Sequence, residues 1–526
     1  MQKIILLISF LVIGLSPDIF TQSVDVDWGQ ETELQKGTFI HKLVGYDDEG
    51  IYILRSTGAM VIDKNNLILE YYSLITQTIE SSNEILMPSA NGMETVFEDI
   101  FYLDKKLILF TSATDRTRMK RVLFAQYLRK DGSLKNRPKE VGALSVENIE
   151  KHGFNFSLTE DKSNIVIHYQ RSFNEYNGEY FTFKILAPDL NMLFDKKLVF
   201  PPNLNEREFE LTQYKIGNSG SIYMTIKAKI KTKRRSRRSK EQVERIILIF
   251  NPKKEQYQYY TLTLYKYFPA DIVFGLDEDE CMSIFGFFTS RSKNTPIGVF
   301  HNKLNPHTLK FEFNMERKDI YYKFARDEIT DLKSPRLSED PQYLYSYVPR
   351  DVVFLDNQAS VFVAEHYYRT MRTMVDPKTK QETDIHYFYY NDLVTAKADK
   401  HGKIEWMNRI YKSQYSLDDS GIMSSYAITT DANKAKIIYN DNPSNLKSGN
   451  PDKIKTYKHN PYVNPKGMAI IVTLFSDGSV DKSMMFGKGE QKTVTCPRLF
   501  VTTKDHHIVH GQKGKKFKFG TFVFER

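Results

Sequence analysis

A tyrosine-rich segment at 366–390 carries the side chains best suited to bind a flat ligand. The tyrosines that we predict to contact a ligand lie on either side of a polar loop and are Tyr367, Tyr368, Tyr387, Tyr389 and Tyr390. Strand alternation places Tyr387 and Tyr389 on one face and Phe388 and Tyr390 on the other. Because tyrosine combines an apolar ring with a polar tip, such a face suits a sugar or a peptide. The alternative is a hairpin that these aromatic pairs stabilise without any ligand.

A second candidate site is the tract YNDNPSNL at 439–446, where Asn440, Asp441 and Asn442 precede a proline. Their clustered oxygen atoms suit a polar ligand or a cation, although a Ca²⁺ site would need further carboxylates from elsewhere in the chain. Asx residues before a proline also form turns through local hydrogen bonds to the backbone. Both interpretations stay open, and the turn is the simpler one.

The segment KAKIKTKRRSRRSK at 227–240 contains nine basic residues and no acidic residue. It lies between two strand-like runs, so we expect a hairpin tip. Clustered charge attracts an anionic surface or an acidic partner at short range. The predicted contacts are Lys233, Arg234, Arg235, Arg237 and Arg238. A solvated loop without a partner is the alternative, and nucleic acid is not expected because no aromatic residues for base stacking are interleaved here.

This loop also accounts for the net charge of the chain. The 526 residues include 74 Lys+Arg and 65 Asp+Glu, which gives a formal net charge of +9. The nine basic residues of 227–240 equal that excess, so the rest of the chain is balanced in charge. The basic character is therefore a property of one loop and does not predict a nucleic-acid partner.

The remaining candidates for chemistry are weak. His506 and His510 share one face of a predicted strand but stand about 13 Å apart, too far to bind one ion. We therefore predict no metal site and no cofactor. The motifs of serine hydrolases, zinc peptidases and nucleotide-binding loops are missing from the sequence. A hydrolase built on paired carboxylates from distant segments leaves no local motif, so catalysis stays open.

The N-terminal residues have the layout of a secretory signal peptide. Lys3 precedes an apolar run of 12 residues from Ile4 to Leu15, too short for a bilayer core that needs about 20. We predict that 1–22 directs Sec-type export to the periplasm or beyond, and that no transmembrane segment remains after its removal. A buried N-terminal strand or helix is the alternative. The two cysteines, Cys281 and Cys496, are predicted to be buried free thiols, although one disulfide bridge stays open.

Eight short apolar runs, each following a polar turn, recur along the mature chain at intervals of about 56 to 79 residues. They are GIYILRS at 50–56, KLILFTS at 106–112, NIVIHYQ at 164–170, SIYMTIK at 221–227, CMSIFGF at 281–287, SVFVAEH at 360–366, KAKIIYN at 434–440 and HHIVHGQ at 506–512. Each run alternates as a strand does, and each unit has room for about four strands. Such a repeat is typical of a β-propeller blade.

The sequence therefore predicts an all-β fold in which 23–526 forms a single β-propeller domain with long loops. We expect eight blades, with seven as the nearest alternative. The last unit lacks one strand, which residues 25–34 can supply, so that the N- and C-terminal segments close the ring. Two β-sandwich domains would show the same spacing of strands and turns and are the alternative fold.

The sixth and seventh units contain VVFLDNQASVFVAEHYYRT, IHYFYYNDLVTAKADK and KIIYNDNPSNL, and the last ones contain VTLFSDGSVDKSMMF and GQKGKKFKFGTFVF. With YDDEGIYILR and FEDIFYLDKKLILFTS nearer the N-terminus, these stretches resemble an uncharacterised family of exported β-propeller-type proteins of the Bacteroidota. The resemblance covers most of the mature chain and is strongest at 347–526. It implies secretion and a β fold but no activity, and the basic loop after Ile226 departs from the family.

Together these observations predict a binding or scaffolding protein of the periplasm or cell surface. Its partner would be an envelope protein, a peptide or a glycan, contacted through loops that connect the blades. The alternative is a carbohydrate- or peptide-processing hydrolase on the same fold, acting outside the cytoplasm.

Overall fold

The computed structural model describes residues 24–58, 62–145, 153–174, 178–199, 207–230, 242–252, 255–290, 295–325, 346–446, 451–460, 466–490 and 492–524. The predicted signal peptide at 1–22 lies outside these residues. The basic side chains predicted to contact an anionic partner also lie outside them: Lys233, Arg234, Arg235, Arg237 and Arg238.

The described residues form β-strands and short 3-10 helices with no α-helix among them, which confirms the predicted all-β class. The strands begin with β1 (Asp27–Trp28) and β2 (Thr32–Glu33). Sheet 1 contains β3 (Phe39–Tyr46), β4 (Gly50–Ser56), β5 (Leu67–Ser73) and β6 (Thr78–Glu84), and a ribbon of β7 (Ser89–Ala90) and β8 (Met93–Glu94) follows. Sheet 2 contains β9 (Val96–Leu103), β10 (Lys106–Asp115), β11 (Lys120–Leu128) and β12 (Lys139–Ser145). Sheet 3 contains β13 (Asn155–Leu158), β14 (Ile165–Asn174), β15 (Gly178–Leu186) and β16 (Met192–Val199).

The later sheets repeat this antiparallel pattern. Sheet 4 contains β17 (Arg207–Ile216), β18 (Ile222–Ile230), β19 (Gln242–Asn251) and β20 (Gln256–Thr261). Sheet 5 contains β21 (Phe268–Leu276), β22 (Met282–Thr289), β23 (Pro296–Asn305), β24 (Lys310–Phe311) and β25 (Tyr321–Lys323). Sheet 6 contains β26 (Tyr347–Phe354), β27 (Ser360–Val375), β28 (Glu382–Ala398), β29 (Ile404–Ile410) and β30 (Gln414–Leu417).

The remaining strands complete two more sheets and add one strand to sheet 6. Sheet 7 contains β31 (Ala427–Asp431), β32 (Lys434–Asp441), β34 (Met468–Leu474) and β35 (Val480–Met484), while β33 (Tyr457–His459) joins sheet 6. Sheet 8 contains β36 (Val501–Thr502), β37 (His507–Lys513) and β38 (Lys516–Phe522), and both β1 and β2 pair with β38. Short 3-10 helices lie at Pro443–Asn445, Pro451–Lys453, Lys488–Glu490 and Pro497–Leu499.

All eight predicted runs are strands, and each is the second strand of its sheet. These strands have neighbours on both edges and are covered on both faces, which explains their high content of apolar residues. Every residue of β4 and of β22 is buried. The repeat thus reflects one burial pattern that recurs in each sheet.

Apolar clusters join each sheet to the next in chain order. Leu54 of sheet 1 packs with Leu109 of sheet 2, and equivalent clusters join the sheets that follow. Sheet 8 packs on both of its neighbours, because Val509 lies in a cluster with Ile471 of sheet 7 and Ile508 lies in one with Ile53 of sheet 1. This order of packing brings the first and last sheets together.

The hairpin of β27 and β28 is the longest in the described chain. These strands contain 16 and 17 residues, and their distal residues extend beyond the four-stranded part of sheet 6. Its tip is exposed, including Met371 and Met374. The outer part of β28 pairs with β30, and β30 pairs in parallel with β33. This extension of sheet 6 carries several residues of the site described next.

Candidate ligand-binding cleft

The predicted tyrosines form a ladder across the long hairpin. Tyr367 lies opposite Tyr390, with ring centres 4.8 Å apart, and Tyr368 lies opposite Tyr389 at 4.4 Å with nearly parallel rings. Tyr415 of β30 continues the ladder at 5.5 Å from Tyr389. Cross-strand aromatic pairs of this kind stabilise a hairpin by about 0.2–1 kcal/mol each.

The two faces of β28 differ in burial, in the alternation predicted from the sequence. Phe388 and Tyr390 are buried, whereas Tyr387 and Tyr389 are half-buried. On the more exposed face the guanidinium of Arg372 lies 5.4 Å from the ring centre of Tyr387. Tyr387 and Tyr389 therefore keep part of their surface exposed to solvent. Contact of these tyrosines with a sugar or a peptide stays a prediction.

The side chains of the 439–446 tract make internal hydrogen bonds. Asn440 is fully buried, and its amide donates to the carbonyl oxygens of Met423 (2.8 Å) and Thr495 (2.6 Å). Asp441 is also buried and forms an ion pair with Lys482 at 2.7 Å. The Asn442 side chain accepts a hydrogen bond from the Ser444 backbone N–H and caps the 3-10 helix at Pro443–Asn445. These contacts account for the residue types, and a role towards a ligand stays a prediction.

Asn440 also connects the segments that surround a large cleft. This cleft lies between sheets 8 and 1 and has a volume of about 770 Å³. Its walls come from 33–40, 419–423, 496–499 and 510–515, together with His459. Clefts of about 300–1,000 Å³ are typical of sites for small ligands. Sequence reasoning did not bring these segments together.

Most of the wall is apolar. Leu34 comes from the connection between β2 and β3, and Phe39 is the first residue of β3. Ile422 and Met423 come from the connection between β30 and β31. Leu499 lies in the 3-10 helix before β36. Leu34, Phe39 and Ile422 are half-buried, so they present apolar surface to any molecule that enters the cleft.

Asp419 and His459 form an acid–histidine pair in the wall of the cleft. The Asp419 carboxylate and Nδ1 of His459 are 2.6 Å apart, and both side chains are buried. Asp419 also accepts a hydrogen bond from the backbone N–H of Gly421 at 2.8 Å. A Cβ atom on Gly421, which has φ +70°, would lie 2.2 Å from the Tyr390 hydroxyl oxygen. Glycine is therefore required where this loop meets the long hairpin.

His510 lines the cleft from β37 and is 1% exposed. Neither of its ring nitrogens has a hydrogen-bond partner among the described residues. Phe519 packs against the ring edge to face, with ring centres 5.4 Å apart. Burial lowers the pKa of His510 to about 3, so the imidazole is neutral at physiological pH. The imidazole beside the cleft thus keeps one donor and one acceptor without a partner among the described residues.

Cys496 is part of the same wall but is not activated. Its thiol donates to the carbonyl oxygen of Ile422 at 3.2 Å. Burial raises the pKa of Cys496 to about 12, and a protonated thiol is a poor nucleophile. Cys281 is also buried, and both cysteines are free thiols, as predicted.

A buried ion pair holds the wall segment 412–425 in place. Glu365 of β27 accepts hydrogen bonds from the Lys412 ammonium (2.8 Å) and the Ser425 hydroxyl (2.8 Å), at the two ends of this segment. The Gln414 side-chain oxygen accepts from both Lys412 and the Ser425 backbone N–H. Glu365 and Lys412 are both fully buried. The position of Asp419 and Ile422 therefore depends on this network.

Metal-binding clusters and membrane-spanning helices are both absent from the described parts of the chain. These residues contain no group of three or more His, Cys, Asp or Glu side chains arranged to hold a metal ion. Within the same ranges, no helix has the length and apolar character to cross a membrane.

Comparisons with known proteins give weak structural similarities only. No protein-family model and no curated protein matches the chain. Similar solved structures include a prolyl oligopeptidase from Galerina marginata, with a TM-score of 0.37 and 8% identity over 90% of this chain and 55% of that one. A polysaccharide lyase described as an ulvan lyase has a TM-score of 0.36 and 8% identity, over 89% of this chain and 96% of that one.

The β-propeller domain of the Trilobed protease from Pyrococcus furiosus is a third similar structure. Its TM-score is 0.30 at 8% identity, over 73% of this chain and 98% of that one. This chain spans about half the length of the prolyl peptidases that it matches. None of these similarities assigns a function to this chain, which is an all-β protein built from consecutive antiparallel sheets.

Proposed function

We propose that this chain is an exported β-propeller that binds a small apolar ligand in the cleft between sheets 8 and 1. The observation that carries this proposal is the cleft itself, with about 770 Å³ of space and walls of Leu34, Phe39, Ile422, Met423 and Leu499. Burying a ligand there removes apolar surface from water on both partners, at roughly 25 cal/mol per Å². Binding is thus the activity that the geometry favours.

A hydrolase is the weaker candidate for this cleft. Asp419 and His459 form the acid–histidine part of a nucleophilic site, which also needs an activated nucleophile. The Cys496 thiol does not meet that need. Burial keeps it protonated, and its S–H group donates a hydrogen bond to the carbonyl oxygen of Ile422. We therefore favour binding over catalysis.

Ring closure is part of the proposal. Eight sheets of four or more strands would be the eight blades, and the pairing of β1 and β2 with β38 would close the ring. The packing of sheet 8 on sheets 7 and 1 supports this arrangement. A closed ring leaves no exposed sheet edge between its first and last units.

We expect Trp28→Ala to lower the free energy of unfolding by about 2 kcal/mol, as for loss of a partly buried aromatic side chain. The Trp28 ring packs on Phe486 at 5.0 Å and fills the space above Gly511 and Gly520. Urea unfolding followed by circular dichroism measures the change. Tyr265→Ala removes an exposed aromatic ring and serves as the control. Equal, small effects of both variants would contradict closure through the N-terminal strands.

The dye N-phenyl-1-naphthylamine, which fluoresces in apolar surroundings, tests the proposed cleft. We expect saturable binding of one dye per chain, weakened about tenfold or more by Ile422→Asp, because a carboxylate is costly to desolvate. Leu34→Asp is a second variant from the opposite wall. Ile75→Asp makes the same change at an exposed site and should leave binding unchanged. Dye binding that is absent, or insensitive to both cleft variants, would reject the proposal.

The other predictions from the sequence remain proposals beside this one. Export through the segment at 1–22 would place the protein in the periplasm or outside the cell. The tyrosine ladder would offer a second contact surface for a peptide or a glycan. The basic loop at 227–240 would contact an anionic envelope surface, and membership of the exported Bacteroidota family rests on the resemblance alone.

A further inference from the structure

The unpartnered imidazole of His510 narrows the chemistry of the ligand. Buried polar groups in proteins nearly always have a hydrogen-bond partner, so a buried side chain with two free nitrogens requires an explanation. His510 is 1% exposed and both of its ring nitrogens lack a partner among the described residues. It also lines the cleft, so a molecule in the cleft can supply the missing partner.

A comparison within the chain shows why the cleft matters. His168 is buried with both nitrogens unpartnered as well, but it stacks on Phe183 at 4.9 Å in the core of sheets 3 and 4. It is not among the residues that line the cleft. An unpartnered histidine alone is therefore no site. His510 differs because open space of ligand size lies beside it.

The charges around the cleft indicate that the inner end of the ligand is uncharged. The Asp419 carboxylate is already bonded to His459 and to the Gly421 backbone N–H, so it is not a free charge. The other charged residues of the wall, Glu33, Lys36 and Lys515, are all exposed to solvent. A charged group beside His510 would be desolvated without a counter-ion, which is unfavourable.

We propose that the cleft binds a small, uncharged and mostly apolar molecule whose hydroxyl or carbonyl group hydrogen-bonds to His510. The proposal rests on the proposed binding function and adds the ligand class to it. A hydroxyl group can donate to one ring nitrogen or accept from the other, and a carbonyl group can accept from the N–H. The apolar body of the ligand would lie against Phe39, Ile422 and Leu499.

The test uses two probes that differ by one hydroxyl group, naphthalene and 2-naphthol, at pH 7. Their affinities are measured by displacement of N-phenyl-1-naphthylamine from the wild type and from His510→Phe, which keeps an aromatic ring and removes the polar atoms. We expect the ratio of the 2-naphthol affinity to the naphthalene affinity to fall about tenfold in His510→Phe. Naphthalene itself should bind this variant at least as well as it binds the wild type.

His507→Phe is the matched control, because it makes the same change on the opposite face of β37. The affinity ratio should be unchanged in that variant. If both probes displace the dye but the ratio is the same in His510→Phe and the wild type, the inference about His510 is wrong while the binding function stands. If the dye itself does not bind, the proposed binding function fails and the inference fails with it.

Discussion

Glu365→Gln is expected to lower the free energy of unfolding by about 3–5 kcal/mol, because it leaves the Lys412 ammonium buried without its counter-ion. Both side chains are fully buried, and Lys412 donates to Glu365 at 2.8 Å. Burial lowers the pKa of Lys412, and the Glu365 carboxylate opposes that effect. Without Glu365, the Lys412 side chain must either stay charged in a buried site or give up a proton to become neutral. Both outcomes cost free energy of folding.

Three variants separate this mechanism from a general loss of packing. Glu255→Gln makes the same change in an exposed ion pair with Lys196 and should change the free energy of unfolding by no more than about 0.5 kcal/mol. Adding Lys412→Met to Glu365→Gln removes the buried cation and should restore most of the lost stability. Urea unfolding measures all three. A double variant as unstable as Glu365→Gln would contradict the charge argument.

The Glu365 network also connects stability to the cleft. Because Glu365 binds both Lys412 and Ser425, its loss should loosen the segment that carries Asp419 and Ile422. We therefore expect weaker binding of the dye by Glu365→Gln, even at temperatures where the variant is folded. Unchanged dye affinity would show that the segment is held by other contacts, such as those of Asn440.

Mild acid is expected to destabilise the protein strongly. Burial lowers the pKa of His168 and His301 to about 4 and that of His510 to about 3. The ordinary pKa is near 6.5, so the unfolded chain binds more protons than the folded chain between these values. The free energy of unfolding therefore falls as the pH drops below about 6.5 and continues to fall to about pH 4. At pH 5 each histidine should account for about 2 kcal/mol of the loss.

The midpoint of urea unfolding at pH 7.5 and at pH 5 measures this effect. His168→Phe keeps an aromatic ring in the stack with Phe183 and should recover about 2 kcal/mol of the loss, the share of one buried histidine. His401→Phe, at an exposed position, should recover none of it. Equal midpoints at the two pH values in the wild type would show that the buried histidines are not held neutral.

The regular part of the fold could be predicted because its signal is local. The run GIYILRS at 50–56 coincides with β4, and the other seven runs also lie in second strands of their sheets. Burial on both faces demands apolar side chains within a few consecutive residues, which a sequence displays directly. The alternation of exposed and buried faces at Tyr387 and Phe388 could be predicted for the same reason.

The cleft could not be predicted, because its walls are far apart in the sequence. Leu34, Ile422 and His510 come together only through the pairing of β2 with β38 and the extension of sheet 6. The predicted strand at 360–366 continues to Val375. In the sequence β33 lies between two strands of sheet 7, β32 and β34, but it pairs with β30 of sheet 6. Neither feature has a periodic signal. For His510, nothing in the local sequence beside Ile508 and Val509 indicates a cavity.

A crystal structure of the mature chain soaked with N-phenyl-1-naphthylamine tests the central claim most directly. Ligand binding in the cleft predicts electron density for one dye between Phe39 and Leu499, within contact distance of the His510 ring. A cleft filled by its own side chains, or a dye bound only elsewhere, would contradict the proposed function.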